Sequence, residues 1–188
     1  ALPEGVVVTG GLAGDGTRFQ RTWVLNARRP VEGFVTAVGF YGSKVRVGHG
    51  SRGGWDPFGP ERVVNRSEGN VLFELDGRAA LDLYKEYLGD RAAELPSSAL
   101  LFPLSIRSGR DSTDHRVRTI LSVSDKDQSM TFAGDVPTGS FAQLMRANFD
   151  RLIDAAGTSA SEAVHMVPKD RPCLSIAISC VGRRLILG

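Results

Sequence analysis

Gly48-His49-Gly50-Ser51-Arg52-Gly53-Gly54-Trp55-Asp56-Pro57-Phe58-Gly59-Pro60 gathers an imidazole, an arginine, two aromatic rings and five glycines in thirteen residues. Glycine admits close backbone approach, Trp55 offers a stacking surface, and Arg52 carries a forked donor that matches a carboxylate. The first six residues spell G-x-G-x-x-G after a predicted strand. That dinucleotide motif works by aiming a helix N-terminus at the pyrophosphate, and Trp55 to Pro60 cannot carry such a helix, so the nucleotide reading fails. A ligand-contacting loop and a tight structural turn both stay open, with Trp55 as stacking surface in one and local core in the other.

A second stretch, Ser179-Cys180-Val181-Gly182-Arg183-Arg184, sets a thiol beside two arginines and at a helix start. Such surroundings favour the thiolate and hence a nucleophile, whereas the plainer reading is a small buried apolar residue. The stretch resembles half of a nucleophile elbow but lacks its preceding glycine. His49, His115 and His165 are far apart and give no local Cys/His signature. Three histidines and two cysteines at these spacings match no familiar metal ligand set, and no cofactor is expected. Asp15 and Asp135 each end an Ala-Gly-Asp tripeptide; turn acids capping nearby amides are the plainer alternative to a catalytic carboxylate pair.

The elements that must position these residues come from a chain of 188 residues, 41% hydrophobic, enough for an ordinary core. The 23 basic and 21 acidic residues leave a formal charge of +2, which gives no general attraction to nucleic acid or an anionic membrane. Cys173 and Cys180 fall in a segment that reads as one strand, where they would stand roughly 23 Å apart at about 3.3 Å per residue, too far for a disulfide. That usage fits a reducing cytoplasm, and no leader or run of ~20 apolar residues is visible. The start at Ala1 and the stop at Gly188 read as a fragment or a processed form, with sequence expected on both sides.

Val6 to Val8 reads as a short buried strand leading into the turn Gly10 to Gly16. Arg18 to Leu25 alternates as a strand, with Phe19, Arg21, Trp23 and Leu25 on one side, and Phe34 to Tyr41 with Lys44 to Val47 reads as a hairpin turning at Gly42-Ser43. Short strands are expected at Arg62 to Arg66 and Val71 to Leu75, then a helix over Ala79 to Leu88 with Asp76 as N-cap and Gly89 as stop. A boundary between lobes is placed near residues 90 to 99. Beyond it, Ala99 to Ile106 reads as a strand interrupted by Pro103, followed by a polar loop from Arg107 to His115. Val117 to Ser124 and Ser129 to Phe132 flank the turn Asp125-Lys126-Asp127, and Gly139 to Arg146 forms a further strand. Phe149 to His165 has helical spacing, and Cys173 to Ser179 reads as a central strand buried on both faces. Connections are too short for parallel crossovers, so the fold class is α+β, two lobes of largely antiparallel sheet with a few packed helices.

Gly10-Gly11-Leu12-Ala13-Gly14-Asp15, Val47-Gly48-His49-Gly50, Glu68-Gly69-Asn70-Val71, Glu74-Leu75-Asp76-Gly77-Arg78-Ala79-Ala80-Leu81-Asp82, Phe132-Ala133-Gly134-Asp135-Val136-Pro137 and Ser179-Cys180-Val181-Gly182-Arg183, in that order, resemble the FIST sensory domain. The resemblance covers nearly the whole chain: 1–95 as the last part of the FIST N-terminal region and 96–188 as most of the C-terminal region, truncated. It implies a cytoplasmic input domain of signal transduction that binds small ligands, with amino acids as the candidate class. No output domain or F-box is visible in these residues, and the family supplies no catalytic motif.

The expectation is a non-enzymatic sensing module in which the 48–60 loop, the Gly10 to Gly16 turn and the Cys180–Arg183 corner meet at a cleft between lobes. Asp15, His49, Arg52, Trp55, Cys180 and Arg183 are its candidate ligand-binding residues, with Arg52 or Arg183 on a carboxylate and Trp55 over an apolar portion. Its partners would be a small molecule such as an amino acid and a downstream signalling protein, with no nucleic acid and no membrane. The alternatives are a cysteine-dependent enzyme using Cys180 and a protein-interaction module exposing Trp55 and Phe58.

Overall fold

The protein is described here by a computed structural model covering residues 3, 5–16, 18 and 20–188. Phe19, assigned to a strand from the sequence, lies outside the described residues. The chain divides into two compact units: a central unit of residues 53–149, and a split unit formed by residues up to 52 together with 150–188.

In the split unit, alternation around Trp23 yields only a short antiparallel pair, Val24–Asn26 (β1) and Arg29–Val31 (β2). Ala27 and Arg28 join them with φ of 46° and 72°, the left-handed pair that matches the twist of a two-residue hairpin. Val6 to Val8 and Phe34 to Val47 form no ladder among the described residues. The turn at Gly42 survives as a single bond from the Val45 N–H to the Gly42 carbonyl at 3.2 Å, so the predicted hairpin has its turn without its strands.

The central unit holds the core. Its strands are Trp55–Glu68 (β3), Val71–Leu75 (β4) and Arg78–Ala79 (β5), followed by helix Ala80–Leu88 (α1) and 3-10 turns over Gly89–Glu94 and Ser97–Leu101. Leu104–Arg107 (β6), Arg116–Arg118 (β7), Ile120–Ser124 (β8), Ser129–Phe132 (β9) and Phe141–Ala147 (β10) complete it. The order across the eight-stranded sheet is β7-β6-β10-β3-β4-β9-β8, with β5 on β4, and every pairing is antiparallel, as the short connections predict. Val64, Leu72, Ile120, Met130 and Phe132 are wholly buried together with Leu81 and Tyr84 of α1. Each large apolar side chain so buried stabilises the fold by about 1.5–3 kcal/mol.

Trp55 to Pro60, read as part of a ligand-contacting loop or tight turn, is instead the beginning of β3. Opposite β10, Glu61 faces Gln143 but Pro57 faces Met145, so β3 takes two more residues than its partner and bulges. The bulge accommodates Pro57 and Pro60, which lack the N–H that a regular ladder needs, and Gly59 turns through it at φ 80°. The Gln143 side-chain amide donates to the Gly59 carbonyl at 2.9 Å and holds the distortion in place.

Helix α1 runs almost as predicted and closes at Gly89, φ 56°, but Asp76 is not its cap. Asp76 sits in the β4–β5 turn, where its carboxylate accepts from the Val63 N–H at 2.8 Å and pairs with Arg62 at 3.0 Å. The Leu81 N–H at the helix start donates instead to the Gln128 carbonyl, 3.0 Å, so a tertiary bond satisfies a donor that a capping side chain would otherwise take. Residues 90 to 99, near which a boundary between lobes is expected from the sequence, lie inside the central unit as the two 3-10 turns. Tyr84 is buried against them, donates to the Phe102 carbonyl at 2.8 Å, and has its phenol pushed up by that burial.

Glu61 of β3 and Arg107 of β6 form a forked ion pair, Nε to Oε1 2.5 Å, with Arg107 only 13% exposed. The hydrogen bond from Arg107 holds the Glu61 carboxyl below its ordinary range, with Arg107, His115 and Arg110 adding electrostatic attraction. A depressed carboxylate adds stability above its unfolded pKa and loses it as pH falls through the folded one. Urea unfolding of wild type and Glu61→Gln should therefore show the wild type ahead at pH 7 and the difference shrinking below the ordinary carboxylate range; a difference constant from pH 7 to pH 3 would refute that role.

The split unit resumes with the helix Phe149–His165 (α2), as the spacing predicts, and ends with Val181–Leu187 (α3). Cys173 to Ser179, expected as a doubly buried strand, forms no ladder among the described residues, and Leu174, Ile176 and Ile178 are exposed. An apolar run of strand length specifies a strand only when a partner edge is there to pair with it. Both cysteines are free and exposed, so the geometric argument against a disulfide loses its strand while the thiols stay unbridged.

Candidate functional site

In the split unit, the segment carrying His49 and Arg52 lies on α2. A side chain added at Gly48 would collide with the Ala163 carbonyl, and one at Gly50 with the Ser159 carbonyl, one helical turn away. Glycine at these positions is thus a requirement of close backbone approach. The contact delivers Arg52 to α2, where its Nε and Nη2 both donate to one carboxylate oxygen of Glu162, Nε to Oε1 at 2.9 Å. The pair is open to solvent on both sides, Arg52 at 57% and Glu162 at 32% exposure. His49, between the two glycines, is exposed.

The Cys180–Arg183 corner meets the same place. Cys180 is the N-cap of α3, its sulfur accepting from the Arg183 N–H at 3.3 Å, and it is exposed rather than the small buried residue of the plainer reading. The Arg183 guanidinium donates to the Leu152 carbonyl of α2 and, at 3.2 Å, to the backbone carbonyl of Arg52. Arg183 therefore ties α3, α2 and the glycine segment into one cluster. Its fork is spent on carbonyls, which makes it a positioning residue for Arg52.

Asp15 does what a turn acid does. Its carboxylate accepts from the Gln20 and Arg21 N–H groups at 2.9 and 3.0 Å, with Arg18 at 4.0 Å. The turn that carries it runs beside the 173–179 segment, Gly11 facing Ile178. Trp55 opens β3 in the central unit, half-buried opposite Ala147. Of the six residues singled out from the sequence, Arg52, Cys180 and Arg183 are brought together by direct contacts. Glu162 was missed, because an acid on the polar face of a predicted helix carries no mark of a partner 110 residues upstream. Among the described residues no cluster of histidine, cysteine and acidic side chains is arranged to hold a metal ion.

This geometry belongs to a chain that family models cover from end to end. The FIST N domain model matches residues 1–78 and the FIST C domain model residues 80–188. The chain belongs to the FIST family. FIST domains are sensory domains of signal transduction, and the α+β architecture expected from the short connections between elements is the one observed. No characterised protein and no solved structure matches the chain. The two models meet between β4 and α1, inside the central unit, so the FIST N and C halves share the core sheet. No helix among the described residues is long and apolar enough to cross a membrane.

Proposed function

We propose that this FIST chain is a cytoplasmic ligand-sensing module of signal transduction and that its ligand is an amino acid held at the Arg52–Glu162 pair. The observation that carries the reading is the pair itself, a forked donor and a carboxylate held side by side and solvent-accessible on a segment fixed to α2. An α-amino acid is complementary to both halves: its carboxylate takes the guanidinium fork and its ammonium takes the carboxylate. Ligand binding replaces one exposed ion pair of small net value with two charge-assisted contacts. His49 lies exposed in the same segment and is assigned the ligand's side chain in this reading, while Arg183 and Cys180 hold the segment and α3 in position. Asp15 supports its own turn, and Trp55 has no assigned role at this pair.

Calorimetric titration of the twenty amino acids against the whole chain tests the reading. One or a few should bind saturably and raise the melting temperature. Glu162→Gln should weaken an amino acid at least tenfold while sparing the corresponding α-hydroxy acid, which has no ammonium to lose. If no amino acid binds, or if Arg52→Gln and Glu162→Gln bind as well as wild type, the assignment is wrong.

A further inference from the structure

We propose that α2 carries a self-association face, occupied by the α2 of a second copy of this chain in antiparallel orientation. One side of α2 is used within its own unit: Leu152 is wholly buried, and the Ser159 and Ala163 carbonyls lie against the glycine segment. Beside that covered side, Phe149, Ile153, Ala156, Ala160 and Val164 follow one another at intervals of three or four residues and so form a line along the helix. All five are exposed, Ile153 at 60% and Val164 at 48%. This is the spacing of a helix-pairing seam rather than of scattered surface apolar residues.

Gly157 adds an independent reason. Glycine is among the poorest residues for a helix interior, yet Gly157 lies in the middle of α2, and a Cβ there would meet no atom within 4 Å among the described residues. No contact inside the described chain calls for its missing side chain. A second helix crossing at this point does, because Ala156, Gly157 and Ala160 let two backbones approach where larger residues would hold them apart.

Size and charge both select an antiparallel copy. Ile153 and Val164 flank the small residues, so turning one helix end for end about that centre brings Ile153 of each copy beside Val164 of the other, and one face serves both copies, as a two-fold dimer requires. The charges follow the same symmetry. Asp150 and Asp154 stand at the start of α2, whereas His165, Lys169 and Arg171, with Asp170 among them, stand at and beyond its end. A parallel pair sets acid against acid; the antiparallel pair sets acidic end against basic end and opposes the two helix dipoles. Asp150, Asp154 and Glu162 against Arg151 make an anionic membrane the poorer occupant of this face.

One pair of helices is a small interface, so association should be reversible, with a dissociation constant on the order of 10–100 μM. Sedimentation equilibrium of the whole chain at low ionic strength should show monomer passing to dimer as concentration rises through that range. Ile153→Glu, at an exposed position, should keep the circular dichroism and melting temperature of the wild-type monomer and weaken dimerisation at least tenfold. Gly157→Ala should raise the monomer's melting temperature while weakening dimerisation, opposite directions that a role confined to the monomer does not produce. Asp150→Lys with Asp154→Lys should weaken the dimer, and adding Lys169→Glu and Arg171→Glu should restore it. A chain that stays monomeric to about tenfold above that range, a dimer unaffected by Ile153→Glu or Gly157→Ala, or charge reversals that fail to compensate would overturn the proposal. The readout is mass with no ligand added, so it is independent of whether amino acids bind at Arg52.

Discussion

Phe132→Ala should lower the stability of the protein by about 3–5 kcal/mol, a large part of what an ordinary domain possesses. Phe132 is wholly buried at the end of β9, packed within the cluster that includes Leu72, Ile120 and Met130. Its backbone is also spoken for: the N–H donates to the Asn70 carbonyl at 2.8 Å, and its carbonyl accepts from the Asn70 side-chain amide at 2.7 Å. Those bonds hold β9 beside the β3–β4 turn, so the surroundings cannot collapse freely into the cavity that truncation leaves. Urea denaturation followed by circular dichroism would measure the loss, and a cost below about 1 kcal/mol would contradict the packing described.

Gly50→Val should be the most damaging change in the split unit. The new side chain would meet the Ser159 carbonyl and its neighbouring backbone atoms, which belong to α2 and cannot rotate away as a flexible side chain could. Overpacking of this kind costs about 1–3 kcal/mol or forces the segment off the helix. In the second case Arg52 leaves Glu162 as well, so amino-acid binding should vanish while the central core stays folded. Amide exchange resolves the two outcomes: if the segment leaves, the α2 amides around Ser159 and Ala163, which it covers, should lose protection with β4 and β9 unchanged. A variant with wild-type stability and wild-type exchange would show that the close approach does not exist.

The sequence made α2, β9 and the turn Asp125-Lys126-Asp127 legible almost to the residue, because helical spacing over seventeen residues and turn residues are local signals. Val117 to Ser124, read as one strand, divides instead at Thr119 into β7 on β6 and β8 on β9, at the two ends of the strand order. Arg62 to Leu75 was legible for the same reason, with Glu68-Gly69-Asn70 as punctuation. What failed was non-local. Trp55 to Pro60 looks unfit for a strand until β10 is there to host the bulge, and Cys173 to Ser179 looks like a strand although no ladder forms on it. Asp76 has the chemistry of a helix cap, yet the Val63 amide reaches it first. At the candidate site, residue type alone marked Arg52, Cys180 and Arg183. Their meeting on α2, and the presence of Glu162, depend on contacts between parts of the chain more than a hundred residues apart.

The bulged strand has a kinetic meaning as well. Trp55, near the beginning of the central unit, pairs with Ala147, near its end, so folding of residues 53–149 brings the incoming and outgoing chain together at neighbouring strand ends. Before that happens, the segment bearing Arg52 and the helix bearing Glu162 must find each other across the whole intervening chain. Afterwards they are joined by a short staple. Shortening the effective loop this much removes roughly 2 kcal/mol of closure entropy by the logarithmic dependence on loop length. The central sheet thus acts as a built-in tether that raises the local concentration of the two pieces of the split unit, and assembly of the Arg52–Glu162 pair should follow, rather than precede, formation of the core.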